Sequence, residues 1–288
     1  GGTAIDDETY LRIRTEFEIA EQPAVRMNGF EEPIPYYLVK SARRQTATQL
    51  ASERIEGISI PFVGRHAIYQ KILLQMQQIR DAESFSAVTL YGEIGVGKSR
   101  ILQEVARASL VLGFKVVRMV GHYEQKEVAF SLLRDMLATV CDLSPTATSA
   151  ENERQIVDFT KEHIAEDDAV AAATVVGYLA GYGFKDSSYA TSLHKSVINR
   201  ENRLAFRWVM RWLLGYTDDV PLLILVDNLQ WADSQSIAML EYLSHVDHPM
   251  MIVTGVTTAS DEPQIEYLQE QPNHVQIATP PLEREQTG

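Results

Sequence analysis

One eight-residue stretch limits the possible folds of this chain more than any other part of the sequence. It follows the pattern G-x-x-x-x-G-K-S and consists of Gly92, Glu93, Ile94, Gly95, Val96, Gly97, Lys98 and Ser99. An apolar run typical of a strand, residues 87–91, precedes it, and a helical pattern over residues 100–110 follows it. The stretch therefore joins a strand to a helix, which is the setting of a phosphate-binding loop (P-loop).

The residue types in this loop suit the binding of phosphate groups. Glycines let the backbone curl until its N–H groups point at phosphate oxygens, and the N-terminus of the next helix adds partial positive charge. We predict that Lys98 reaches the outer phosphates, that the Ser99 hydroxyl ligates Mg²⁺, and that Arg100 completes the set of contacts. The alternative is a glycine turn between strand and helix that binds no ligand.

A second candidate residue stands at the end of another apolar run. Residues 222–226 are five consecutive apolar residues without alternation, the pattern of a central parallel strand buried on both faces. They lead into Asp227, which we expect beside the P-loop because ligands bind at the carboxyl ends of parallel strands. We predict that Asp227 holds Mg²⁺, directly or through water. The alternative is that Asp227 only ends or caps the strand.

The order of strand and helix patterns predicts an α/β fold. Strand-like runs at residues 114–120, 250–256 and 275–277 alternate with helical segments, which favours a parallel sheet with helices on both faces. Residues 127–214 are almost entirely helical in pattern and form a predicted insertion between the second strand and the next. We therefore expect a P-loop NTPase three-layer sandwich over residues 60–288, carrying this helical insertion.

The first forty residues are predicted to form a separate small unit. A helix is predicted from Thr3 to Thr15, with Asp6 and Asp7 available to cap it, followed by strands at residues 17–20 and 34–39. A helix and two strands bury too little apolar surface to fold stably by themselves. We therefore expect this unit to be the tail of a larger domain. The polar residues 41–59 are predicted to be a linker.

Charge, cysteine content and hydropathy bear on the partners and the cellular compartment of the protein. The formal net charge of −13 argues weakly against nucleic acid as the main partner. A single cysteine, Cys141, excludes an internal disulfide framework and fits a reducing cytoplasm. The longest uncharged run, residues 169–184, is too short to span a membrane, and no secretory signal opens the chain. The ends suggest a piece of a longer cytoplasmic protein.

Three segments together resemble the AAA+-related STAND-type ATPases. They are FVGR (Phe62, Val63, Gly64 and Arg65), GEIGVGKSR and DNLQWAD, in the family's order and spacing over roughly residues 60–285. The resemblance implies that residues 62–65 lie over the nucleotide base; the alternative is a strand-turn-helix element that only supplies core contacts. Asn228 stands where many relatives carry a second acid that polarises the attacking water, and an amide is a poor base. Asp233 either replaces that acid or caps the following helix.

Near its end the chain departs further from that family. Thr257 and Thr258 follow the strand-like run 250–256, at a position that faces the γ-phosphate in related ATPases and where relatives often place an arginine. We count both threonines as candidate nucleotide contacts, with strand-ending residues of high β-propensity as the alternative. Residues 280–282 resemble the entry to the family's helical lid, which is missing from this sequence.

The first forty residues resemble the C-terminal end of a class III adenylate/guanylate cyclase domain. In that family a helix leads to strands around a Lys-Gly step, where this chain has Asn28 and Gly29. The metal-binding aspartates and the Asn/Arg pair of the family lie upstream of the matching part. The resemblance therefore implies a cyclase remnant over residues 1–40 without cyclase activity.

These observations predict an ATP-binding signal-transduction module that uses ATP/ADP and Mg²⁺. The predicted catalytic residues are Lys98, Asp227 and Asn228, and the predicted Mg²⁺ ligands are Ser99 and Asp227. The expected activity is slow hydrolysis of Mg-ATP, coupled to a conformational or assembly switch. The alternative is a nucleotide-gated scaffold without significant turnover. The expected partners are the neighbouring domains: a cyclase domain upstream and a lid or repeat domain downstream. The sequence leaves open whether the chain forms a homo-oligomer, and no association with a membrane is expected.

Overall fold

The structure is a computed structural model, and it describes residues 3–6, 9–10, 17–25, 34–42, 62–82, 84–184, 203–257 and 265–282. The chain divides into two compact units. One is Gly1–Ile60 with Ser144–Thr146, and the other is Pro61–Leu143 with Ala147–Gly288. Each unit is described by itself below.

The first unit contains a three-stranded antiparallel sheet. Its strands are β1 (Thr3–Ile5), β2 (Phe17–Val25) and β3 (Ile34–Ala42), in the order β1-β3-β2. The predicted strands at residues 17–20 and 34–39 are confirmed and extend further. Ser41 and Ala42, predicted to begin the linker, belong to β3 instead, because they pair with Glu18 and Phe17 of β2. The predicted Asn28-Gly29 turn and residues 43–59 of the predicted linker lie outside the described residues.

The predicted helix from Thr3 is wrong at its start. Thr3–Ile5 is a strand that pairs with β3, and Ile5 lies opposite Tyr37. Two of these three residues are β-branched, and pairing with a partner more than thirty residues away outweighs the local helical pattern. Asp6 does act as predicted at the following turn, because its Oδ1 accepts a hydrogen bond of 2.9 Å from the Thr9 N–H.

The second unit is built on a parallel five-stranded sheet, as predicted. Its strands are β4 (Phe85–Gly92), β5 (Lys115–Val120), β6 (Leu222–Asp227), β7 (Met250–Thr257) and β8 (His274–Ala278). The order across the sheet is β5-β6-β7-β4-β8, and every pair is parallel. All carboxyl ends therefore lie along one edge, with β7 at the centre of the sheet between β6 and β4.

Helices cover both faces of this sheet and make the three layers. The core on one face takes Leu223 and Leu225 of β6, and it includes residues of α1 (His66–Ala82) and α2 (Lys98–Val111). The core on the other face takes Leu222, Ile224 and Val226. Successive residues of β6 thus enter opposite cores, which explains why its sequence shows no polar alternation.

The predicted insertion between β5 and β6 is helical. It contains α3 (Ser131–Val140), α4 (Ser149–His163), α5 (Glu166–Leu179) and α6 (Arg203–Thr217), and residues 185–202 lie outside the described part. The chain then continues through β6 to α7 (Ser234–Ser244), β7, the short α8 (Glu266–Gln269) and β8. Among the described residues, no helix combines the length and apolar character that crossing a membrane requires.

Candidate nucleotide site

The predicted P-loop connects β4 directly to α2. Strand β4 ends at Gly92, and α2 begins at Lys98. Gly95 has a φ of 82° and Gly97 a φ of 98°, values that favour glycine because a side chain there would be strained. These two residues turn the chain tightly between the strand and the helix. The backbone therefore fits the phosphate cradle that the sequence predicts.

The Lys98 side chain folds back over this loop. It is 7% exposed, and its ammonium group donates hydrogen bonds of 2.8 Å to the carbonyl oxygens of Gly92 and of Glu93. An ammonium group has three N–H donors, so one remains for a ligand oxygen. Burial lowers the pKa of Lys98, and the negative charge of Asp227 partly opposes this shift. The lysine is thus held at the loop with a donor to spare.

Asp227 lies at the carboxyl end of β6 and is 4% exposed. Gly255 of β7 provides the space between it and Lys98. A β-carbon added to Gly255 would lie 3.2 Å from Oδ1 of Asp227 and 3.7 Å from Cβ of Lys98. The carboxylate and the lysine side chain therefore flank one point on the central strand. Oδ1 of Asp227 also accepts a hydrogen bond of 3.0 Å from the Asn228 N–H.

Ser99 and Arg100 occupy the first turn of α2. Ser99 is exposed, and Arg100 forms an ion pair of 2.8 Å with Glu104 one turn further along. In the described part of the chain, no three His, Cys, Asp or Glu residues cluster closely enough to hold a metal ion. Mg²⁺ is commonly held by one or two protein oxygens together with substrate phosphates, so a Ser99 hydroxyl and an Asp227 carboxylate suit it.

Asn228 adopts a left-handed backbone conformation, with φ 52° and ψ 45°. This conformation turns the chain from β6 into a 3₁₀ turn, Leu229–Trp231. The turn packs against Gly121, whose N–H donates to the Asp227 carbonyl oxygen at 2.9 Å. A β-carbon on Gly121 would lie 2.3 Å from the Asn228 carbonyl oxygen, so this close approach requires glycine. Sequence reasoning missed Gly121; a glycine directly after the strand-like run 114–120 was the available signal.

The segment of residues 62–65 reaches the P-loop through Arg65. Arg65 is 5% exposed, and its Nη2 donates to the carbonyl oxygen of Val96 at 2.8 Å and to that of Pro280. Burial lowers the pKa of Arg65, and its Nε has no hydrogen-bond partner among the described residues. The guanidinium group therefore ties the P-loop to the chain after β8. The predicted contact with the base stays a prediction.

The other three residues of this segment differ in exposure. Phe62 packs its ring 5.5 Å from the rings of both His66 and Tyr69. Val63 is 38% exposed, and Gly64 is exposed with a φ of 69°. Phe62 thus contributes to the core beside the site, whereas Val63 and Gly64 face outward.

A second contact joins the chain after β8 to the P-loop. Thr279 donates its N–H to the Tyr91 carbonyl oxygen at 2.8 Å. A β-carbon on Gly92 would lie only 2.5 Å from the Thr279 carbonyl oxygen, so the first P-loop glycine is also needed for packing. Sequence reasoning did not single out Thr279, and no local pattern marks it.

Thr257 is the last residue of β7 and lies opposite Gly92 in the register of the sheet. It is 7% exposed and forms two hydrogen bonds with the side chain of Gln230, which sequence reasoning also missed. The structure therefore brings Thr257 to the same edge as the P-loop and Asp227. Thr258 lies outside the described residues.

Asp233 is the N-cap of α7 and is 3% exposed. Its carboxylate accepts six hydrogen bonds, three of them from Phe130 and Ser131 at the start of α3 and three from Gln235 and Ser236 in α7. A carboxylate occupied in this way has no lone pair left over for a water molecule. The capping role that the sequence left open is thus the one observed.

Comparison with known proteins gives one family match and several distant structural likenesses. The model of the AAA ATPase domain family matches residues 61–253. No curated protein matches the sequence. The likenesses to solved structures have low identity and low TM-scores, and they carry no argument about function.

Three of these structures show how identity, TM-score and coverage vary among them. The Aeropyrum pernix ORC1 protein in complex with DNA has 14% identity and a TM-score of 0.39, covering 78% of this chain and 47% of that chain. Drosophila ORC bound to DNA has 11% identity and a TM-score of 0.35, covering 77% and 95%. The bacterial conjugative coupling protein TrwB has 13% identity and a TM-score of 0.28, covering 66% and 67%.

This chain thus spans about half the length of the Aeropyrum protein. The sequence-based expectation against nucleic acid gains no support from these structures. The family match, by contrast, extends over more than half of the chain and includes the P-loop and Asp227. The chain belongs to the AAA ATPase domain family.

Proposed function

We propose that this chain binds Mg-ATP and hydrolyses it slowly to drive a conformational or assembly switch in neighbouring domains. One observation carries the proposal: Lys98, held on a loop of left-handed glycines, and the buried Asp227 flank the same point above Gly255. A lysine and a carboxylate in this arrangement match the phosphate and Mg²⁺ contacts of P-loop NTPases.

Each site residue has a role in this proposal. The loop N–H groups from Gly92 to Gly97 and the third N–H of Lys98 bind phosphate oxygens of ATP or ADP. The Ser99 hydroxyl and Asp227 hold Mg²⁺, which neutralises charge on the phosphates when it is bound. Arg65 and Phe62 lie beside the base, and Arg100 supports the first turn of α2.

The proposed hydrolysis depends on positioning and electrostatics. The Asn228 amide orients a water molecule but accepts a proton poorly, and Asp233 is already saturated by six donors. Thr257 lies at the phosphate end of β7, next to the P-loop in the sheet. These residues support binding strongly and proton removal weakly, and for that reason we propose slow turnover.

The wider context is also a proposal. We infer a STAND-type module over residues 60–288, joined by a linker to a cyclase remnant at the beginning of the chain. Because β3 extends to Ala42, the remnant would cover residues 1–42 and the linker residues 43–59. The small three-stranded sheet of the first unit is in keeping with a remnant that belongs to a larger domain. The partners would then be a cyclase domain upstream and a lid or repeat domain downstream, in a cytoplasmic protein that is open to self-association. We expect no cyclase activity from this chain.

A nucleotide-gated scaffold is the second candidate function. Asn228 at the position of an acid favours it, because binding of ATP or ADP needs no base. In that case the bound nucleotide alone would set the conformation of the neighbouring domains.

The test is phosphate release and nucleotide affinity in the presence of Mg²⁺ for wild type, Lys98→Ala and a control, Lys161→Ala, whose side chain is exposed on α4. We expect Lys98→Ala to abolish turnover and to weaken nucleotide binding at least tenfold, with Lys161→Ala unchanged. Tight binding without turnover in the wild type would favour the scaffold. Absence of nucleotide binding by the wild type would contradict both functions, and equal binding by wild type and Lys98→Ala would contradict the role proposed for Lys98.

A further inference from the structure

The guanidinium group of Arg65 joins two segments that are far apart in the sequence. One of its nitrogens, Nη2, donates to the carbonyl oxygen of Val96 in the P-loop at 2.8 Å and also to that of Pro280. Arg65 is 5% exposed, so these bonds are shielded from water. A hydrogen bond from a charged donor is roughly twice as strong as one between neutral groups. Arg65 therefore holds the Val96 carbonyl group firmly.

The Pro280 end of this bridge is fixed to the sheet. Pro280 directly follows Thr279, whose N–H donates to the carbonyl oxygen of Tyr91 in β4 at 2.8 Å. A β-carbon on Gly92 would lie 2.5 Å from the Thr279 carbonyl oxygen, so the two backbones are in close contact. The bridge therefore ties the middle of the P-loop to the strand that leads into it.

The peptide bond between Val96 and Gly97 connects this bridge to the phosphate cradle. The described part of the chain contains no cis peptide bond, and in a trans peptide the C=O and the N–H point in opposite directions. The Gly97 N–H therefore points away from Arg65. Gly97 has a φ of 98°, and because glycine accepts both positive and negative φ, rotation of this peptide plane meets little steric resistance. The hydrogen bond from Arg65 thus decides which way the Gly97 N–H points.

We propose that Arg65 is a positioning residue for phosphate binding: by holding the Val96 carbonyl oxygen, it keeps the Gly97 N–H turned toward the phosphates of the nucleotide. This inference rests on the proposed function, in which the loop N–H groups bind phosphate oxygens. It gives the Arg65 side chain a task at the loop that is separate from the contact with the base implied by the family resemblance. Loss of Arg65 should consequently weaken the binding of the phosphates and leave the binding of the base unchanged.

Two ligands that each carry one part of the nucleotide separate these roles. Inorganic tripolyphosphate has phosphates but no base, and adenosine has base and ribose but no phosphate. Their affinities can be measured in the presence of Mg²⁺ by displacement of a fluorescent ADP from the full chain. For Arg65→Met we expect the affinities for tripolyphosphate and for ADP to fall about five- to tenfold, the factor that one lost hydrogen bond gives. We expect the adenosine affinity to stay at the wild-type value.

Two further variants separate the bridge from the charge and from general effects of the substitution. Arg65→Lys keeps a cation, but its ammonium group is one bond nearer to the backbone and does not bridge both carbonyl oxygens, so we expect its tripolyphosphate affinity to fall about threefold. Arg154→Met makes the same chemical change on α4, where the arginine side chain is 85% exposed. It should leave all three affinities unchanged, because exposed ion pairs contribute little.

The outcomes distinguish this inference from the proposed function. Wild-type tripolyphosphate affinity in Arg65→Met would overturn the inference, and so would wild-type affinity in Arg65→Lys, since charge alone would then be sufficient. A loss of adenosine affinity as large as the loss of tripolyphosphate affinity would also overturn it, because Arg65 would then support the site as a whole. In each of these cases the proposed function stands as long as Lys98→Ala weakens ADP binding. If Arg65→Met does not fold, the same comparison in Arg65→Lys decides.

Discussion

The buried carboxylate of Asp233 joins α7, next to the candidate site, to the beginning of the helical insertion. Its Oδ1 accepts the N–H groups of Phe130, Gln235 and Ser236 at 2.9–3.0 Å. Its Oδ2 accepts the N–H and the hydroxyl of Ser131 at 2.9 and 2.8 Å, and the hydroxyl of Ser236 at 2.6 Å. Asp233→Asn would keep the shape of the side chain and remove one of the two accepting oxygens.

The cost of this substitution can be worked out from the two oxygens. If the new NH₂ group takes the place of Oδ2, the two serine hydroxyls can rotate to accept from it, but the Ser131 N–H cannot. The Ser131 N–H is then left without a partner, which costs about 1–3 kcal/mol, and the two serine hydroxyls also lose the oxygen to which they donated. The other bonds lose the strength that a charged acceptor gives them. We expect Asp233→Asn to lower the free energy of unfolding by about 3 kcal/mol, and Asp233→Ala by about 4–5 kcal/mol.

Urea unfolding followed by tryptophan fluorescence measures this effect. All three tryptophans, Trp208, Trp212 and Trp231, lie in the second unit, so the signal reports on the unit that contains Asp233. With a slope of about 2.5 kcal/mol per molar urea, a loss of 3 kcal/mol moves the midpoint down by about 1.2 M. A shift of this size is well outside the error of the method.

Asp247→Asn is the matched control, because Asp247 is exposed and the chemical change is the same. Such surface substitutions usually change stability by less than about 0.5 kcal/mol. If Asp233→Asn shifts the midpoint no more than Asp247→Asn, the six hydrogen bonds do not hold the insertion to α7. The reasoning about Asp233 as a structural joint would then be refuted.

The site and the core give two more predictions. Asn228→Asp should raise kcat at least about tenfold, because aspartate tolerates the left-handed backbone at this position and supplies the missing base; an unchanged kcat would show that residue 228 does not face the water. Cys141 should react with a thiol reagent at pH 8 about 1,000-fold more slowly in the folded protein than in urea. Burial raises the pKa of its thiol from 9.0 to about 12, so the thiolate forms only at higher pH, and equal rates would contradict this burial.

The parts of the fold that could be predicted are those whose signal lies within one element. The apolar residues of β6 predict a strand that is buried on both faces. In the structure its successive residues alternate between the two cores, so none of the five faces solvent. The short strand Thr3–Ile5 carries no such signal, because its hydrogen-bonding partners are residues 37–39 of β3. A helical pattern that includes Thr3 is outweighed by a contact that the local sequence does not contain.

The residues of the candidate site also fall into those that the sequence predicts and those that it does not. Lys98 and Asp227 could be predicted because the backbone that holds them has a recognisable spacing: a loop between strand and helix, and a carboxylate at a strand end. The contact between Gln230 and Thr257 joins residues 27 positions apart, and no sequence pattern around either residue predicts that they meet. Gly255 and Gly121 are similar, since each leaves space for a side chain or a backbone atom of a different strand or turn.

In the proposed function, binding and turnover rest on different parts of the chain. The residues proposed to bind phosphate are those of the loop, Lys98 and Asp227, and their positions are fixed by the sheet and by the first turn of α2. The residue proposed to orient the attacking water, Asn228, lies in a turn outside the sheet. A change from acid to amide at that position leaves the sheet edge untouched, because asparagine and aspartate adopt the same left-handed conformation. In the proposed function, one substitution at position 228 would therefore change turnover and leave nucleotide affinity as it is, and the comparison of wild type with Asn228→Asp tests both quantities.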